Sequence, residues 1–295
     1  MRGKKTAQKA DTRSRQIDVH DSWYVKGAPD APVAWYGGKM YYARWIIERF
    51  ANHRVYVEPF GGAANVLLRK VKSQVEVYND LDSRIVNFFR VLRDPDKFVE
   101  FQRKCALTPY AREEFVQLIG LAEPQDEVER AWWFFVRCRQ ALGGLGMSKL
   151  TPKSWSASIR TRRNLPEGVS KYLSAIDGLE DIVTRFREIM VECRPAIETF
   201  DKYDSEETLF YVDPPYLPET RHAGLAATYG VEMTRADHEE MLGVIKKVKG
   251  KVLLSGYDST LYSKALKSWN RAEQTGKSHL TNSGQTRVEV LWMNY

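Results

Sequence analysis

At 295 residues, with 43% hydrophobic and 28% charged positions, the chain has the composition of a globular protein, long enough for one large domain or a catalytic domain carrying an insertion. It contains no apolar run of membrane-spanning length and no charged-then-apolar leader, so a cytoplasmic protein with no membrane partner is expected. The formal net charge of +7 favours a polyanionic partner, nucleic acid ahead of a membrane surface.

Residues 1–30 read as a basic arm outside the fold. Its first half carries Arg2, Lys4, Lys5, Lys9, Arg13 and Arg15 against Asp11 alone. Such an arm is either a solvated tail or a contact to phosphates. Ala34-Trp35-Tyr36-Gly37-Gly38-Lys39 follows, with paired glycines, two aromatics and a lysine. These suit a loop covering a ligand, or a loop anchored by packing. Val55–Glu58 reads as a strand that turns at Pro59-Phe60-Gly61-Gly62, and Ala63–Lys70 reads as a helix. Val75–Tyr78 is a second strand that stops at Asn79-Asp80, and Ser83–Leu92 is again helical. Strand, glycine turn, helix, strand and acid in this order form a βαβ unit, the entry to a parallel sheet.

Asp94-Pro95 breaks this pattern, and residues 94–188 read as a mainly helical insertion without a buried strand. Strand-like segments return at Ile189–Glu192, Leu209–Val212 and Val252–Ser255, and Arg287–Met293 alternates as a closing strand. The expected fold class is therefore α/β, a domain of residues 31–93 and 189–295 interrupted by the insertion. Cys105, Cys138 and Cys193 lie far apart and never as CxxC, and the histidines lack ligand spacing, so neither disulfides nor a metal site is expected.

The strongest chemical signal is Asp213-Pro214-Pro215-Tyr216, at the end of the strand Leu209–Val212. Ligands of open parallel sheets bind outside the carboxyl ends of the strands. An acid, two prolines and an aromatic there make a rigid turn bearing one carboxylate and one flat ring. That equipment suits an aromatic amine, a poor nucleophile because its lone pair is delocalised into the ring. A carboxylate and a main-chain carbonyl accepting its two N–H bonds would localise the pair and aim it at an electrophile. The tyrosine ring could stack on a base swung out of a duplex. The turn after Glu58 would let backbone approach a ligand closely, though a structural turn reads the same way. Asp80 could accept the two hydroxyls of a ribose, or could cap the next helix.

Together these segments resemble the Dam-type DNA adenine-N6 methyltransferases, in which a cofactor region comes first, a target-recognition domain second and the catalytic motif third. The resemblance runs from about Ala34 onward and includes Thr234–Leu242 (TRADHEEML), Val252–Asp258 (VLLSGYD) and Arg287–Tyr295 (RVEVLWMNY). It implies a Rossmann-like methyltransferase domain, S-adenosylmethionine as cofactor and double-stranded DNA as partner. It implies further that Trp35, Tyr36 and Lys39 contact the cofactor from the N-terminal loop. Glu58, Pro59, Phe60 and Gly61 would line its methionine side, Asp80 would hold the ribose, and Ala196 and Ile197 would flank the adenine. Asp213, Pro214, Pro215 and Tyr216 would be catalytic, Asp213 also near the cofactor. The chain departs from the commoner FxGxG pattern in reading Phe60-Gly61-Gly62-Ala63-Ala64, which leaves open which backbone groups touch the cofactor.

The insertion is the expected reader of sequence. Lys149 ends a glycine-rich loop, and Trp155, Arg160, Arg162, Arg163 and Asn164 follow. Arginine can bind guanine edges bidentately and asparagine can bind adenine, yet either can simply hold phosphate, and a basic run is also an ordinary solvated face. Arg221 lies in the polar loop after Tyr216, which is either placed to close over a flipped base or simply a long connection. Three alternatives share the same fold: adenine methylation in RNA, modification of a protein amide or small molecule, and a DNA-binding regulator without strong catalysis. Asp rather than Asn in the first position of the catalytic motif argues against the second, and the intact Asp213, Tyr216, Asp80 and Lys39 argue against the third.

Overall fold

The computed structural model describes residues 23–147, 150–220, 230–277 and 286–295. Its centre is a seven-stranded sheet in the order β5-β2-β1-β6-β7-β9-β8. The strands are β1 (Val55–Glu58), β2 (Val75–Asn79), β5 (Met190–Glu192), β6 (Thr208–Val212), β7 (Lys251–Gly256), β8 (Asn270–Lys277) and β9 (Thr286–Met293), with β3 (Thr161–Arg162) and β4 (Leu165–Pro166) forming a separate small hairpin. From β5 to β7 every neighbour is parallel, while β9 runs antiparallel between β7 and β8.

β1 and β6 are buried along their whole length, as central parallel strands covered on both faces must be. Alternation still sorts their side chains into two layers. Tyr56, Tyr78, Leu209, Tyr211, Leu253, Leu291 and Met293 join one core cluster. Val57, Val77, Phe210, Val212, Leu254, Val290 and Trp292 join the other.

The first layer is covered by α1 (Ala43–Ile47), α2 (Ser83–Arg93), α3 (Pro95–Leu107), α5 (Glu127–Gln140), α6 (Glu167–Asp177) and α7 (Leu179–Phe186), with α4 (Arg112–Gly120) packed outside. The second is covered by α8 (Ala196–Tyr203), α9 (Arg235–Ile245) and α10 (Thr260–Ala265). The helices of residues 94–188 therefore share a core with the sheet. Phe186 of α7 stacks on Phe89 at 3.9 Å between ring centroids and meets Tyr78 of β2 edge-on.

One expected element is corrected. Ala63–Lys70 is not an α-helix but a turn followed by a single 3-10 turn at Leu67–Arg69. Gly62 (φ 47°) and Ala64 (φ 58°) both adopt left-handed backbone, which breaks a helix at its start. Among the described residues no helix is long and apolar enough to cross a membrane.

Candidate active site

The order β2-β1-β6 reverses direction at β1, and the crevice outside the carboxyl ends of these strands holds a cavity of about 310 Å³. That size lies within the range of small-molecule clefts. Its floor is the turn after β1. Gly61 N donates to Asn79 O at 2.8 Å, Tyr78 Oη donates to Gly62 O at 2.6 Å, and Gly62 N donates to Asp80 Oδ2 at 2.8 Å. Gly61 cannot be replaced cheaply, because a Cβ there would lie 2.2 Å from the Tyr78 ring. Asn79, fully buried, ties this turn to the next wall: its Nδ2 donates to Pro59 O and Arg194 O, and its Oδ1 accepts from Arg194 N. Ala196 and Ile197 follow directly at the start of α8 and line the cavity with Phe60.

Asp80 stands just past β2. Its carboxylate accepts from Gly62 N and, through Oδ1, from Asp82 N at 2.8 Å. The capping role open to Asp80 falls instead to Asp82, whose side chain accepts from Arg84 N at the start of α2. Burial pushes the Asp80 carboxyl up to about 6, against the two backbone N–H groups that hold it down. Glu58, at the end of β1, is pushed up to about 8, again by burial, although Tyr56 Oη donates to its Oε1 at 2.6 Å. In neutral water Glu58 therefore holds a proton for much of the time, while Asp80 is largely ionised.

The roof is the loop of Trp35 to Lys39. Arg139 of α5 fixes its approach by donating to Pro32 O at 2.6 Å and Ala31 O at 2.7 Å. Gly144, at φ 74°, packs so tightly on this loop that a Cβ would lie 2.8 Å from the carbonyl carbon of Trp35. Trp35, Tyr36, Lys39, Glu58, Pro59, Phe60, Gly61, Asp80, Ala196, Ile197 and Asp213 all line the one cavity, as do Pro214 and Pro215.

Lys39 reaches deeper than a covering loop requires. Its ammonium lies 2.8 Å from Asp213 Oδ1, 3.7 Å from Glu289 Oε1 and 4.8 Å from the centroid of the Tyr216 ring. Asp213 Oδ1 also accepts from Ser255 Oγ at 2.9 Å, so β6, β7, β9 and the N-terminal loop converge on this turn. Tyr216 is buried beside the cavity, meets Tyr257 edge-on at 4.7 Å, and donates its hydroxyl to Glu289. Burial, with the anions Glu289 and Asp213 nearby, holds the Tyr216 phenol far above its ordinary range.

A family model of D12 class N6 adenine-specific DNA methyltransferases matches residues 35–280. The chain belongs to this family. It is thus an adenine-specific DNA methyltransferase, and the family implies S-adenosylmethionine as methyl donor. Among curated proteins the methyltransferase is similar to type II methyltransferase M.MjaIII of Methanocaldococcus jannaschii, 22% identical over 89% of this chain and 98% of that protein. It is also similar to the DNA adenine methylases of Vibrio cholerae, 25% identical over 88% of this chain and 93% of that protein, and of Haemophilus influenzae, 26% identical over 77% and 79%.

The residues proposed to read DNA are not gathered in the same way. Lys149 and Arg221 lie outside the described residues, as does most of the arm of residues 1–30. Arg162, Arg163 and Asn164 form the β3–β4 hairpin, whose two turn residues, Arg163 (φ 54°) and Asn164 (φ 58°), both take the left-handed backbone of a type I′ turn. Arg160 is exposed at its base, next to a fully exposed Ile159. Trp155 instead packs inward: its indole N–H donates to Gln140 at 3.2 Å, Tyr110 meets its ring, and the Arg112 guanidinium lies 4.7 Å above it.

Asn79, Ser255 and Glu289 of the methyltransferase received no role from the sequence. Ser255 sits inside the segment VLLSGYD, and Glu289 is the single acid in the apolar alternation of VEVLWM. An acid set into the apolar alternation of a closing strand is the signal available for Glu289.

Proposed function

We propose that the chain transfers a methyl group to the exocyclic N6 amine of adenine at a specific sequence of duplex DNA, receiving the flipped base at the turn Asp213–Tyr216. The observation that carries this reading is the position of Asp213. It stands at the carboxyl end of β6, lines the cavity, and has Lys39 and Ser255 on one carboxylate oxygen, Oδ1. Its Oδ2 would accept one hydrogen of the base amine while a proline carbonyl of the turn accepts the other, which localises the nitrogen lone pair. The proton that the amine sheds as it gains its methyl would leave through Oδ2. Tyr216 would stack on the base once it is out of the helix.

The cavity suits S-adenosylmethionine, which supplies an electrophilic methyl when bound. Asp80 offers a carboxylate for the ribose hydroxyls, Ala196 and Ile197 an apolar wall for the adenine, and Glu58 to Gly61 with Trp35, Tyr36 and Lys39 the surroundings of the methionine portion. Residues 94–188 would read the DNA sequence, chiefly through the hairpin carrying Arg162, Arg163 and Asn164 with Arg160 beside it. The enzyme would work in the cytoplasm.

The test is methyl incorporation from labelled cofactor into duplex DNA, single-stranded DNA and RNA, with nucleoside analysis of the product. N6-methyladenine in duplex DNA, lost in D213A, is expected. Labelling of RNA in preference to duplex DNA would replace the substrate in this reading.

A further inference from the structure

β9 runs antiparallel to β7 and pairs Leu291 with Ser255 and Val290 with Gly256, where β7 ends. One residue beyond that pairing stands Glu289, opposite Gln274 of β8. The antiparallel strand thus carries an acid to the carboxyl edge of the parallel strands, beside Asp213. Leu291 and Met293, with the same alternation, lie in the core, and Glu289 itself is only 3% exposed. A carboxylate on a core strand is costly unless it is paired. Its pairing is specific: Tyr216 Oη donates to Oε1, and Lys39 Nζ lies 3.7 Å from the same oxygen.

We propose that Glu289 is a positioning residue for methyl transfer, fixing Tyr216 through its hydroxyl and dividing the Lys39 ammonium with Asp213. This rests on the reading of Asp213 and Tyr216 given above. The charge arithmetic gives the direction of the effect. With Glu289 anionic, one ammonium serves two carboxylates, and Asp213 keeps net negative character to offer the base amine. With Glu289 neutral, Asp213 is the one anion of the pair left to face Lys39, and its carboxylate becomes a weaker acceptor. The hydroxyl bond acts separately, holding the ring at the angle at which a base would meet it.

The test uses full-length protein with duplex substrate and five variants, four single and one double, checked for folding by circular dichroism. E289Q keeps the shape and an oxygen for the phenol but discards the charge. Its kcat should fall about ten- to a hundred-fold, the range for loss of one charge-assisted contact, while calorimetric affinity for S-adenosylmethionine stays within about two-fold. E289D, which keeps the charge, should recover a measurable part of kcat. Y216F should raise KM for DNA, and adding it to E289Q should cost less than the two single effects combined. Wild-type kcat in E289Q would overturn the proposal, as would a loss that tracks cofactor affinity. If E289Q does not fold, Y216F decides: unchanged KM and kcat overturn it. D213A distinguishes the underlying reading, since activity in that variant would remove the basis for Asp213 itself.

Discussion

Replacing Asp80 with asparagine tests the cofactor half of the site through a bond count that the structure supplies. The Asp80 carboxylate accepts two backbone N–H groups, one from Gly62 in the glycine turn and one from Asp82 at the head of α2. Asparagine can accept only one of them, and its amide then faces the other donor. A charge-assisted bond is lost and a main-chain donor is left opposed, each about 1–3 kcal/mol. The same change removes the acceptor for one ribose hydroxyl. Affinity for S-adenosylmethionine should fall about ten- to a hundred-fold, measured by calorimetry at pH 7.5. The pH dependence adds a second readout. Because burial pushes the Asp80 carboxyl up to about 6, acidification to pH 5.5 protonates most of it and removes an acceptor. Wild-type affinity should then drop about four-fold between pH 7.5 and 5.5, and D80N should lack this step. Glu58, held near 8, is mostly protonated across that window and adds little to it. Unchanged affinity in D80N, or wild-type affinity that rises on acidification, would refute the assignment.

Two further substitutions probe the turn after β1, and a third probes the β3–β4 hairpin. Glu58→Gln removes a carboxyl whose folded-state value, about 8, exceeds its ordinary one, so that ionising it opposes folding as pH rises between the two. E58Q should match wild type in melting temperature near pH 5 and exceed it by a few °C at pH 9; equal melting at both values would contradict the burial argument. Gly61→Ala should cost about 1–3 kcal/mol of stability by denaturant titration, because its methyl group meets the Tyr78 ring at 2.2 Å and both are held in the turn. Arg163→Ala, on the exposed hairpin, should leave stability and cofactor affinity unchanged. If Arg163 reads a base it should relax preference at one position of the site by about 1–3 kcal/mol, and if it holds phosphate it should flatten the salt dependence by about one counterion; binding to cognate and non-cognate duplexes at several salt concentrations separates the two.

The parts legible in the sequence are those where one local signal dominates. β1, β2, β6 and β7 announce themselves as short apolar runs because they are buried on both faces, and the acids and prolines after them mark the edge where the cavity forms. β8 gives no such signal: NRAEQTGK is polar because it is an edge strand, paired among the described residues with β9 alone and largely exposed. The helix expected at Ala63–Lys70 failed because left-handed backbone at Gly62 and Ala64 overrode a run with good helical propensity. Lys39 was legible as a cofactor-loop residue, but its approach to Asp213 and Glu289 depends on three segments far apart in the chain. Trp155 looked like part of a basic DNA-facing run, and only packing against Tyr110, Arg112 and Gln140 shows what occupies its ring and indole N–H.

Methylation of adenine in DNA through Asp213 can be read out by expressing the chain in a host without DNA methylation and sequencing that host's genome by a method sensitive to modified bases. N6-methyladenine is expected at one short sequence throughout the genome, absent from cells expressing D213A at equal protein level. An unmodified genome, methyl groups on cytosine, or an undiminished signal with D213A would contradict it.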